Sequence, residues 1–458
     1  MLFFKKSFSA FFVKCNLKKI QYKKILLIFT FLFILVLIFC KPESLINFTD
    51  RDLQFFTKSE VEKIGVKVKK NWISIELKEL QIEQKEKEIT KKERDLENAS
   101  TKKESEKIKL ELEKDKQMIQ KDKKDLEERK KNYEKENKLY QIKKEIVEDK
   151  GKIDVVFSWG GIMNDMNQRN RYNYEFQFSL RAVYKYLPWV DTIYILINSN
   201  TDPPYWIKKD YPSKIKIIDR CTLIENEDHC PTFNSFAVYS IAHKIPGLSN
   251  KFILLDDDFF FNQPITRDYM FTPKGVPKVY QKRKKKMTYY KDDPLYGLIK
   301  KKKYPRYKYA RYSHIPKPLR RDFILKFDEH YPGYAELVQS HLKRYTRLTE
   351  DYSMIYFEFF YKKRWIKRLD QVHAKFHQLP MRHERNITME FEDNYKTLTT
   401  QDIITFNCND NFSKVTKIYK KQLEVLWKFY NKLYREVPDY ELPNPQHEKY
   451  TEFFPSDL

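Results

Sequence analysis

The chain has 458 residues, 41% of them hydrophobic and 16% aromatic, which is enough apolar side chain for one large domain or two ordinary ones and excludes a chain disordered throughout. Lys and Arg outnumber Asp and Glu by 89 to 64, a formal charge of +25 at pH 7. That balance permits an anionic partner, yet the lysines are scattered and no nucleic-acid motif accompanies them, so nucleic acid is not expected as a ligand.

Residues 1–24 form a basic tail, with Lys5, Lys6, Lys14, Lys18, Lys19, Lys23 and Lys24, and residues 25–40 are apolar except for Thr30. As a helix that run reaches roughly 24 Å, short for a plasma membrane but workable in a thinner early-secretory bilayer. The lysines ahead of it place the N-terminus in the cytosol, giving a single-pass type II protein with its later residues in the lumen. A cleaved signal peptide is the alternative, but the run is longer than the usual apolar region and no small-residue cleavage site follows. In the lumen the sequons at Asn47, Asn98 and Asn386 become N-glycan acceptors.

Residues 41–150 read as a stem. From Ile75 to Val147 the chain is rich in Lys and Glu, and apolar residues recur every seventh position at Ile75, Ile82, Ile89 and Leu96, then at Leu112, Ile119, Leu126, Tyr133 and Tyr140 after a break in phase. One apolar position per heptad is too few for a sturdy coiled coil, so the expectation is a long charged helix that pairs at most into a weak homodimer.

At Gly151 the pattern becomes globular and stays so to about residue 445, leaving 446–458 as a tail. Short β-branched and aromatic runs at 153–157, 192–197, 215–218 and 252–255 alternate with helical spacing, as in Phe176, Leu180, Val183 and Leu187, and in Phe236, Ile241 and Ile245. The fold class is therefore α/β: a mostly parallel, Rossmann-like sheet with helices on its faces, whose ligands bind beyond the carboxyl ends of the strands. Residues 282–311 read as a basic surface loop, and helical segments at 320–327, 350–361 and 414–433 make the C-terminal half α-rich. Of the cysteines, Cys221 and Cys230 suit a disulfide loop, with zinc held by Cys221, His229 and Cys230 as the alternative.

The most informative stretch is Asp256-Asp257-Asp258 at the end of the apolar run from Phe252 to Leu255, followed by Phe259-Phe260-Phe261. Adjacent carboxylates among aromatic residues call for a cation, and a hard divalent ion, Mg²⁺ or Mn²⁺, bound with a substrate diphosphate fits. A solvated acidic turn is the other reading.

These motifs resemble the Stealth family of sugar-1-phosphate transferases, and four regions appear in order. The first is similar to Ile153-Asp154-Val155-Val156-Phe157-Ser158-Trp159. The second runs through Glu175, Ser179-Leu180-Arg181, Pro188-Trp189-Val190, Pro231-Thr232-Phe233-Asn234-Ser235, Ile245-Pro246-Gly247-Leu248-Ser249 and Leu255-Asp256-Asp257-Asp258. The third looks like His314-Ile315-Pro316 with Arg347, Glu350 and Asp351, and the fourth like Asn409-Asp410-Asn411 with Glu441-Leu442-Pro443.

The resemblance implies transfer of a sugar 1-phosphate, N-acetylglucosamine 1-phosphate above all, from a UDP-sugar to a hydroxyl of a glycan or glycoprotein, with release of UMP, in a Golgi or ER membrane enzyme. It assigns Asp257 and Asp258 to the metal, His314, Asp258 and Arg347 to catalysis, and Trp159, Glu175, Arg181, Asn234 and Asp410 to substrate binding. Three positions depart from the family pattern: Gly161 where a polar residue is usual, Asp256 in place of the usual Asn, and Tyr239 where close relatives carry Glu. They keep open a second function, a catalytically silent glycan-binding or regulatory subunit of the same fold.

Overall fold

The computed structural model describes residues 55–161, 173–199, 202–210, 214–286, 308–312, 315–342, 356–357, 359–361, 365–370, 375–380, 387–409 and 416–442. The predicted tail and anchor lie outside them, as do Asn47, Asn386 and Asn411. Among the described residues no helix is long and apolar enough to cross a membrane.

The stem differs from its expectation. It is a hairpin of two helices, α1 (Lys58–Glu97) and α2 (Lys102–Glu148), and the turn between them accounts for the break in heptad phase. At the start of α1 the Thr57 hydroxyl accepts from the Glu60 amide while the Glu60 carboxylate accepts from the Thr57 amide at 2.8 Å, a reciprocal cap. Ile75, Ile82 and Ile89 of α1 pack against Leu112, Ile119 and Leu126 of α2 in one buried cluster. Each stripe alone is too thin for a coiled coil; the partner it needs is the other half of the same chain, so these residues are not available to a homodimer. Cross-helix ion pairs flank the seam, and Lys78 and Lys85 together draw the Asp122 carboxyl down to about 2.

The globular part contains β1 (Ile153–Ser158), α3 (Glu175–Tyr186), β2 (Ile193–Ile197), β3 (Ile215–Asp219), α4 (Ser235–Ile241), β4 (Lys251–Asp256) and β5 (Phe259–Phe261). It continues through β6 (Lys278–Lys286), β7 (Lys308–Tyr312), β8 (Lys317–Arg320), α5 (Arg321–His330), α6 (Tyr334–Gln339), β9 (Lys367–Asp370), β10 (Phe376–Pro380), α7 (Ile387–Thr400), β11 (Thr405–Asn409) and α8 (Thr416–Leu433). The main sheet has the order β3-β2-β1-β4-β8, parallel except for β8. Val155, Val156 and Phe157 of β1 are fully buried, as a central parallel strand covered on both faces requires. Phe176, Leu180 and Val183 of α3 join the same core.

Two further sheets add strands to a second half that has the expected helices, Arg321–His330 and Thr416–Leu433 among them, and the described ends of the basic stretch, 282–286 and 308–311, are strand rather than loop. One has the order β10-β11-β5 and the other β7-β6-β9, with the basic run supplying β6 and β7. Those strands lack an alternating apolar pattern, which hid them from periodicity.

The hairpin is also no free stalk. Ile146 of α2 packs with Phe56, Val61 and Leu325, and Glu145 receives a 2.8 Å bond from Arg321. The fully buried Arg321 guanidinium also donates to the carbonyls of His243 and Leu248, which joins α2 to the segment leading into β4.

Candidate functional site

In the order 3-2-1-4 the chain winds outward from β1 in one direction through β2 and β3, then crosses to its other side for β4. The crevice of such a sheet opens at the carboxyl ends of β1 and β4. Ser158, the last residue of β1, pairs with Asp256, the last of β4, so the acidic run begins at the crevice. Asp257 and Asp258 form the turn that leads into β5, and β5 pairs antiparallel with β11.

Each carboxylate of the run has a distinct neighbour. The Tyr239 hydroxyl lies 2.9 and 2.8 Å from the two Asp256 oxygens, and the Lys317 ammonium is 3.5 Å from Asp256 and 2.9 Å from the Tyr239 oxygen, to which it donates. Asp257 acts electrostatically on Arg220, whose buried guanidinium donates to the carbonyls of Trp159, Leu196 and Thr232. Burial pushes Arg220 down to about 10, against the opposing pull of Asp257 and Asp219. Asp258 accepts from the Asn407 side chain at 3.4 Å, and its carbonyl accepts from the Cys408 amide at 3.3 Å.

The argument that the acidic run needs a cation is therefore met in part by the protein itself, through Lys317 and Arg220. Among the described residues no group of three or more His, Cys, Asp or Glu side chains is gathered to hold a metal. Cys221 and Cys230 are joined in a disulfide, with Cα atoms 5.7 Å apart, which sets the zinc alternative aside.

Several residues assigned to substrate have other occupations. Trp159 is 5% exposed and stacks on Phe176 at 5.4 Å, so its ring belongs to the core rather than to a nucleotide platform. Arg181 forms a bidentate pair with Glu441 at 2.6 and 2.5 Å and donates to the Tyr434 carbonyl at 2.9 Å. That pair ties the second motif region to the fourth. Asn234 caps α4 by accepting from the Phe236 amide, and its amide group donates to the carbonyls of Val338 and His341. Glu175 is buried in the first turn of α3, where a carboxylate suits the helix dipole. His314, Arg347 and Asp410 lie outside the described residues.

Sequence reasoning missed Arg220, Lys317 and Asn407. Arg220 did carry a signal, being a cation directly after the third strand. Tyr239 and Asp256 were visible only as separate departures, whereas in the fold they touch.

The fold and the acidic turn at its switch point define an α/β protein with a candidate ligand site at the ends of β1 and β4. Residues 169–279, which include α3 to β5 and the whole acidic run, match the family model "Stealth protein CR2, conserved region 2". The chain is similar to the capsular polysaccharide phosphotransferase fcs1 of Haemophilus influenzae, at 32% identity over 28% of this chain and 40% of that protein. It is likewise similar to the capsular polysaccharide phosphotransferase LcbA of Neisseria meningitidis, at 33% identity over 28% of this chain and 40% of that one. The human N-acetylglucosamine-1-phosphotransferase subunits alpha/beta are 37% identical over 24% of this chain and 8% of theirs. The matches thus span less than half the length of each relative. A solved 4-diphosphocytidyl-2C-methyl-D-erythritol synthase from Anaerococcus prevotii aligns over 48% of this chain and 86% of its own at 13% identity, with a TM-score of 0.23, too low to bear on the topology described above.

Proposed function

We propose that the chain is a UDP-sugar-dependent transferase that moves a sugar 1-phosphate, N-acetylglucosamine 1-phosphate above all, onto a glycan hydroxyl and releases UMP. The observation that supports this most is the placement of the acidic turn. It lies at the switch point of the sheet and inside residues 169–279, which match the Stealth conserved region 2 model. In the reaction the acceptor oxygen bonds to the sugar-bearing phosphorus, the bond from that phosphorus to the bridging oxygen breaks, and the bridging oxygen leaves with UMP.

Asp257 and Asp258 are the carboxylates suited to a magnesium or manganese ion, which would complete its shell with water and diphosphate oxygens. When bound, such an ion supplies charge neutralisation of the diphosphate. His314 is assigned to take the acceptor hydroxyl's proton and Arg347 to clamp phosphate oxygens. Residues 25–40 anchor the chain in a Golgi or ER membrane with the site in the lumen, a compartment compatible with the Cys221–Cys230 disulfide.

The test is incubation of the full-length protein with labelled UDP-N-acetylglucosamine, Mn²⁺ and simple mannosides. UMP release that stops on chelation supports the reading. Sugar binding without UMP release would instead make the chain a glycan-binding subunit.

A further inference from the structure

Lys317 grips the acidic turn from one side. Lys317 begins β8 and pairs in register with Leu254, two residues before Asp256. Its side chain and that of Asp256 are only 13% and 15% exposed. The ammonium lies 3.5 Å from Asp256, 4.6 Å from the Tyr239 ring centroid and 5.4 Å from that of Phe259. Asp256 and Phe259 are the residues immediately before and after the Asp257-Asp258 tip. One cation therefore contacts both ends of the turn, through charge at one and a ring face at the other.

Tyr239 completes the arrangement from α4. Its hydroxyl receives a bond from Lys317 and faces both Asp256 oxygens, so an ammonium, a hydroxyl and a carboxylate meet at one point. A partly buried ammonium needs its counter-charge, and the loss of either partner leaves the other exposed to a low-dielectric surround. The carboxylate's point of attachment is less constrained. Positions 239 and 256 both face Lys317, and a carboxylate carried on either can neutralise it.

We propose that Lys317, Tyr239 and Asp256 form a charge-matched brace that sets the direction of the Asp257-Asp258 tip, and that the brace requires one carboxylate facing Lys317 rather than an aspartate at 256. These are positioning residues acting through the tip, and their role in turnover rests on the transferase reading above. The brace itself does not.

Two readouts in the full-length protein separate the claims. By hydrogen exchange, Asp256→Asn and Lys317→Met should each speed exchange of the amides of residues 257–259 by roughly tenfold, and Tyr239→Phe by less. The paired change Tyr239→Glu with Asp256→Asn should return the rate to within about threefold of the parent. The Mn²⁺ concentration needed for half-maximal UMP release should follow the same order, a shift that a loss of global stability alone would not produce. Parent-like exchange in Asp256→Asn, or a paired variant as fast as that single change, would overturn the brace. A parent chain that releases no UMP removes the transferase reading and leaves hydrogen exchange to decide the brace.

Discussion

The stem hairpin and the core of the globular part use the same ion-pair chemistry in opposite settings. Along the hairpin, Lys85, Lys92, Lys123 and Lys130 meet acidic partners at side chains that are about a third to a half exposed. Such pairs are screened by water and salt, and neighbouring lysines can replace one another. At the core of the globular part, Arg181 and Glu441 are 6% and 0% exposed and Arg321 is wholly buried. There Arg181 meets Glu441 and Arg321 meets Glu145, and removal of the carboxylate leaves a buried guanidinium held by main-chain carbonyls alone among the described residues. Charged residues are therefore compositional on the hairpin and individually necessary in the core of the globular part.

The contrast is broken or sharpened by substitution. The largest effect is expected at the tip of the acidic turn: Asp258→Asn should lower UMP release by more than about 100-fold while the melting temperature stays near the parent's, as for a group acting on a charged transition state. Next, Glu441→Gln should destabilise the fold by roughly 3 kcal/mol, the scale for breaking a buried pair, as read by chemical denaturation. Parent-like stability in that variant would erase the distinction between the two regions.

A smaller effect concerns pH. His243 is held well below its ordinary value of 6.5, first by burial and then by Lys244 and Arg321, which together outweigh its hydrogen bond to the Ser240 backbone. The folded state binds its proton less readily than the unfolded chain does. Stability should therefore fall as pH drops through about 6.5, and His243→Gln should flatten that slope between pH 7.5 and 5.5. The smallest effect belongs to the hairpin, where Lys85→Ala should leave the melting temperature unchanged because Lys78 still reaches Asp122 at 2.7 Å.

The four parallel strands were legible because runs such as Ile153–Phe157 and Phe252–Leu255 are continuous, short and apolar. The end of β4 stood out as a candidate site because a carboxylate triplet closes an apolar run. The hairpin was half legible: its two stripes were plain, but nothing local says that they face each other. The brace was not legible at all, since Tyr239, Asp256 and Lys317 come from three elements and only the register of β4 with β8 unites them. Trp159 carries a related ambiguity. An aromatic residue at a strand end can face a ligand or a helix, and Phe176 on α3 decides for the helix.

The central claim is that the bond broken lies between the two phosphorus atoms of a nucleotide sugar. It is tested most directly with UDP-N-acetylglucosamine labelled at the sugar-bearing phosphorus. The account predicts that the label passes to the glycan in a phosphodiester, in the parent and not in Asp258→Asn. Label retained in released UDP while the sugar is transferred would contradict it.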